Sequence, residues 1–148
     1  MCHPYDALLG SLAEEIGLDA ATLLSTQEIL IDDLPIRLQF EGGDEHGDVL
    51  LCSLLGTVPS ERWPEVARTL LWANHGGTGT RGGTLGMVPE DDMVTLTMRR
   101  PLQSLDADKL AALLGWMTDT GLAWKEYVSG ESSGEPPALF QRQLGSYA

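Results

Sequence analysis

Apolar residues recur at helical spacing in three stretches of the chain and at strand spacing in the segments between them. Tyr5, Leu8, Leu9, Leu12 and Ile16 form a stripe over residues 4–16, with Asp6, Ser11, Glu14 and Glu15 away from it. Pro4 suits a first helical position, where its missing N–H needs no partner. Gly17 suits a left-handed stop, and Ala20–Leu24 reads as a further short turn of helix. The strongest stripe is in the middle, over Ser60–Asn74: Trp63, Val66, Ala67, Leu70 and Leu71 share one face, and Glu61, Arg62, Glu65 and Arg68 fall mostly on the other. Its start has two readings. Ser60 is a good N-cap, but a start near Trp63 puts Pro64 where it removes no hydrogen bond. Leu110, Leu113, Leu114, Met117 and Trp124 predict a last helix running to about Val128, with Ser104 as its cap and Asp106 and Asp108 in its first turn. Gly121 inside it marks a bend or a close approach.

The strand signals fall in two blocks. Glu28–Ile31 is a short strand, followed by a tight turn at Asp32–Asp33. Leu34, Ile36, Leu38 and Phe40 then alternate with Pro35, Arg37 and Gln39, which predicts one buried face and one wet face. Glu41–Asp48 is a polar turn. Val49–Leu55 is apolar nearly throughout, so that strand is covered on both faces or lies at an interface. After the central helix come a glycine-rich loop, HGGTGTRGG, read as a mobile hairpin lead-in, and two more strands, Thr84–Val88 and Met93–Met98. The order predicts an α+β fold, α-β-β-β-α-β-β-α, with a twisted antiparallel sheet packed by helices. Residues 1–128 make one domain. Residues 129–148 begin SGESSGEPP, a linker composition, and read as a flexible tail. A central helix between two blocks of sheet is placed to be the spine of a homodimer.

Charge narrows the partners. Nine Lys and Arg against 22 Asp and Glu give a net charge of −13. That balance argues against nucleic acid and anionic membrane surfaces, where basic residues supply the affinity. No apolar run reaches the roughly 20 residues that span a bilayer, and the N-terminus lacks the pattern of a signal peptide, so membrane insertion is not expected and the protein reads as cytosolic. Cys2 and Cys52 do not form a disulfide framework. His3, His46 and His75 are far apart and match no metal-ligand spacing. The glycine-rich loop lacks the Gly-Lys-Ser/Thr ending of a phosphate-binding loop and follows a helix rather than a strand. Neither a catalytic constellation, nor a metal, nor a cofactor is expected. What stands out is a surplus of apolar surface. Either it is satisfied within one core, or part of it awaits a partner through an open strand edge and the grooves beside it.

Several phrases in order carry a resemblance: IGL (Ile16–Leu18), IDDLPIRLQF (Ile31–Phe40), VLLCSLLG (Val49–Gly56), LLWANH (Leu70–His75), GGTLGM (Gly82–Met87), LTMRRPLQSLD (Leu96–Asp106) and AWKEYV (Ala123–Val128). Together with chain length and acidity they resemble the class I type III secretion chaperones, the Tir-chaperone or CesT-like family, over residues 5–128. The resemblance implies a cytoplasmic bacterial homodimer that binds the N-terminal chaperone-binding segment of a secreted effector in extended form and keeps it soluble and secretion-competent. It adds the secretion apparatus as a further partner. It implies effector contacts at Leu9, Leu12, Ile16, Leu30, Ile36, Leu38 and Phe40. The dimer interface would form at Trp63, Val66, Leu70, Leu71, Leu85 and Met87. A regulatory protein of the same fold without a secreted client is the alternative.

Overall fold

The computed structural model describes residues 2–77, 79–130 and 136–137. Four helices and five strands follow the expected order with one addition. Helix α1 spans Pro4–Ile16, α2 Ala20–Thr26, α3 Trp63–Asn74 and α4 Ala107–Ser129. Strands β1 (Glu28–Ile31), β2 (Leu34–Glu41), β3 (Asp48–Thr57), β4 (Thr84–Val88) and β5 (Met93–Pro101) form one antiparallel sheet in the order β1-β2-β3-β5-β4. The sheet therefore has two edges, β1 and β4.

Local chemistry explains most boundaries. His3 Nδ1 accepts the Tyr5 N–H at the start of α1, and Gly17 ends that helix in the left-handed region. Asp19 caps α2 by accepting from the Thr22 hydroxyl and the Thr22 N–H, and these two bonds hold its carboxyl below the usual aspartate value. Asp32 and Asp33 both take positive φ, 50° and 65°, which makes the two-residue hairpin between Ile31 and Leu34. The ambiguity at the central helix resolves into two pieces. Ser60–Arg62 is a single 3-10 turn, and α3 begins at Trp63 with Pro64 in its first turn. The cap of α4 is corrected from Ser104 to Asp106, whose side chain accepts the Lys109 N–H at 2.8 Å. Ser104 lies in a 3-10 turn before it.

The core lies on one face of the sheet. Leu34, Ile36 and Leu38 of β2, Val49, Leu51 and Leu55 of β3, and Val94, Leu96 and Met98 of β5 are all buried on that side. Helix α4 packs across β3 there, and α1 packs beside it. The crossing is close at Gly121, where an added Cβ would stand 2.7 Å from Leu34 Cδ2. Gly121 is thus a point of close approach rather than a bend. Helix α3 lies along β4, joined to it by paired hydrogen bonds between the Asn74 amide and the Leu85 backbone, 2.7 and 2.8 Å. Arg62, just before α3, donates to the Tyr127 and Val128 carbonyls at the end of α4 and sits over the Tyr127 ring.

Two hydrogen bonds hold described residues of the glycine-rich loop. Trp124 Nε1 donates to the Gly79 carbonyl at 2.9 Å, and the buried Thr80 hydroxyl donates to Gly83 O. The expected hairpin lead-in is thus tied to α4 at Gly79 and closed on itself at Thr80. Of the tail, Ser129 ends α4, Gly130 caps it in the left-handed region and Pro137 is buried. The remainder of the expected flexible segment lies outside the described residues.

Candidate functional site

The opposite face of the sheet is open. Strand pleating sends alternate residues there. The registers Leu30↔Pro35, Arg37↔Cys52 and Cys52↔Thr97 carry the row across four strands. Leu30 is 67% exposed and Leu54 49%. A depression of about 340 Å³ opens on this side, lined by Glu28, Pro35, Arg37, Cys52 and Leu54. All five come from β1, β2 and β3. The Cys52 thiol is pushed up by burial, against a smaller opposing pull from Arg37. It therefore stays protonated and acts as apolar lining, not as a nucleophile. Beside the depression, β1 pairs with β2 on one side only, so its other side carries main-chain groups open to pairing.

Two further apolar groups reach the surface. Leu71, Trp72 and Met87, at 73, 55 and 42% exposure, mark the α3–β4 side. Ile16, Leu18 and Leu24 mark the corner between α1 and α2. Phe40 is half-buried at the end of β2, its ring 4.9 Å from His3 and 5.4 Å from Tyr5. The Tyr5 hydroxyl donates to Gln27 Oε1 at 2.8 Å. Burial, with help from Asp6, raises its pKa to about 12. This aromatic cluster flanks a polar cleft that includes Gln39.

The expected effector-contact residues divide. Ile16, Leu30 and Phe40 have surface to offer. Leu9, Leu12, Ile36 and Leu38 do not: each is at most 1% exposed, because α1 and the inner face of β2 close against α4. Their expected contact role is corrected to one of core support. The expected interface residues divide the same way. Leu71 and Met87 face solvent, Trp63 is half-buried, and Val66, Leu70 and Leu85 are buried within the chain. The Trp63 indole N–H is buried without a hydrogen-bond partner among the described residues.

Sequence reasoning missed Leu54 and Cys52 as surface, while Pro35 lies on the expected wet face of β2. The signal was present in Val49–Leu55: a strand apolar on both faces, of which the helices cover one. Among the described residues no three His, Cys, Asp or Glu side chains come together as a metal site, and no helix is long and apolar enough to cross a membrane.

This arrangement of sheet, helices and open face can be set against known proteins. The profile of the Tir chaperone protein (CesT) family matches residues 7–125. The chain belongs to that family. It is a family of chaperones, and the match runs from α1 to within α4, covering the whole sheet. Among solved structures, a chain of the HopA1–SchA chaperone–effector complex superposes with a TM-score of 0.66 at 17% identity, covering 83% of this chain and 94% of that one. A chain of the ExsC–ExsE complex gives 0.68 at 18% identity, covering 84% and 92%. At such identities the likeness shows the fold. No curated protein matches the chain by sequence.

Proposed function

We propose that this member of the CesT family is a cytoplasmic type III secretion chaperone. It works as a homodimer and holds the N-terminal segment of a secreted effector in extended form. The observation that carries this reading is the open sheet face, where Leu30 and Leu54 stand exposed beside an edge strand. An unfolded client loses conformational entropy when it is held, so it needs a broad apolar contact and main-chain pairing to offset that loss. The outer face supplies the first and the β1 edge the second. The two superposed complexes, one named as chaperone with effector, support the same use of the fold.

Dimerisation fits the α3–β4 side. Leu71, Trp72 and Met87 are exposed there, an apolar group that a second copy would cover. The orphaned Trp63 N–H lies at the start of the same helix. Two copies would double the contact available to one client. The net charge of −13 keeps the loaded complex soluble. The reading assigns the chain no catalytic step and no cofactor.

The test is affinity purification of the tagged protein from its own cell, with complex mass and partner identity determined together. A homodimer carrying one larger protein, held near that protein's N-terminus, is the expected result. A clean dimer with no client would move the function to regulation, and a monomer bound to a small molecule would overturn the reading.

A further inference from the structure

A second cleft, of about 290 Å³, lies away from the open sheet face, between the end of β5 and the first turns of α4. Lys109, Ala112, Leu113 and Trp116 line it at helical spacing i, i+3, i+4 and i+7, and Leu105 and Arg100 close the other wall. Trp116 is 53% exposed, a large aromatic surface for an unpartnered helix. Most of the lining is apolar, yet it carries two of the chain's nine Lys and Arg.

Their surroundings can be set beside those of Arg62 and Arg99, two cations that the fold itself occupies. Arg62 is engaged with the carbonyls of Tyr127 and Val128, and Arg99 with Glu41 and Asp48. Arg100 alternates with Met98 and so points to the helix-covered side, where it is half-buried. Its guanidinium donates to the Arg99 carbonyl at 2.8 Å and meets no carboxylate among the described residues. Lys109 touches only Asp106, at 4.0 Å and with both side chains largely in solvent. The Arg99 carbonyl replaces part of the hydration that half-buried Arg100 has lost, and no carboxylate among the described residues balances its charge. In a chain of net charge −13, a half-buried Arg100 and an exposed Lys109 beside an exposed indole put cationic side chains in an apolar cleft.

We propose that this cleft reads an acidic–apolar element of the client: a carboxylate set on Arg100 and Lys109, with the neighbouring aromatic or aliphatic side chain laid on Trp116. The inference rests on the chaperone reading above and adds a selection rule to it. The open sheet face holds any extended apolar segment. The α4 cleft adds a preference for segments that place an Asp or Glu beside a large apolar residue. Bidentate geometry at Arg100 gives the carboxylate an orientation that a lone apolar groove would not. The overall negative charge penalises other acidic material, so the preference needs both halves of the element.

Fluorescence anisotropy with three labelled synthetic peptides tests this. One is acidic–apolar, one has its Glu replaced by Gln, and one is apolar without charge. The acidic–apolar peptide is expected to bind at least about tenfold more tightly than its Gln counterpart, the range of one charge-assisted contact. That advantage should fade with added salt. It should vanish in the Arg100→Gln/Lys109→Gln double variant and return in Arg100→Lys. Trp116→Ala should weaken the acidic–apolar peptide, and thermal melts of each variant check that the fold is kept. If all three peptides bind wild type equally, or the double variant keeps the tenfold preference, the cleft inference falls and the chaperone reading stands. Displacement of the peptide by ATP with no dependence on its Glu would make the cleft a nucleotide site and overturn the inference. If no peptide binds wild type, the cleft inference falls, and the chaperone reading is decided separately by the co-purification.

Discussion

The two faces of one sheet are built from the same strands and do opposite work. On the inner face Ile36, Leu51 and Leu96 have no exposed surface, because α1 and α4 close over them. On the outer face Leu30 and Leu54 stand 67 and 49% exposed, and Arg37, Gln39 and Cys52 share that side. The inner face therefore holds the fold, and the outer face is available for a partner. The pleat makes the division sharp: a one-residue step along β3, from Leu54 to Leu55, moves from 49% exposure to 1%.

The largest expected effect is on the inner side. Trp124 is fully buried in the core and its Nε1 holds the Gly79 carbonyl. Trp124→Ala should cost about 3–5 kcal/mol in urea unfolding, the usual range for a buried Trp, and should loosen the glycine-rich loop as well. An unfolding midpoint unchanged from wild type would mean that α4 is not the lid of this core. Arg62→Ala removes the two hydrogen bonds that tie the start of α3 to the end of α4. A loss of about 1–3 kcal/mol is expected, since both involve a charged donor.

Changes on the outer side should separate stability from binding. Leu54→Asp is expected to shift stability by about 1 kcal/mol or less and to abolish client retention in co-purification. Leu71→Asp should leave the monomer folded and halve the mass seen by light scattering. If Leu54→Asp unfolds the chain as Trp124→Ala does, the outer face is part of the core in solution.

The smallest effect is electrostatic. Glu15, at the end of α1, shares a hydrogen bond with Asp108 at the start of α4, and that bond, then burial and the Asp108 and Asp106 charges, raise its pKa. The folded state therefore holds this proton more tightly than the unfolded chain does. Stability is fully present below the ordinary glutamate range and declines as pH rises through the raised value. Glu15→Gln should melt with wild type at low pH and above it at neutral pH. A gap that is widest at low pH would reverse the assignment.

Most of the fold was legible because its signals are local. The 3.6-residue stripes, the Asp32–Asp33 turn and the alternation of β2 each depend on near neighbours in sequence. The site was less legible because depth depends on what crosses above a residue. Leu9 and Leu12 have the right spacing for either a groove or a core, and only the path of α4 decides between them. The same holds for Ile36 and Leu38. Val49–Leu55 was readable as a strand with two apolar faces, but not which of the two the helices would take. The cap of α4 slipped from Ser104 to Asp106 because both residue types cap well and lie two positions apart.

The most direct measurement is hydrogen–deuterium exchange on the protein alone and on the same protein purified with its client. The account predicts new protection of the β1 amides on the open edge, around Leu30, with the amides of β2 and β3, already paired within the sheet, changing little. Protection confined to other surfaces, with β1 exchanging as freely in the complex as alone, would contradict it.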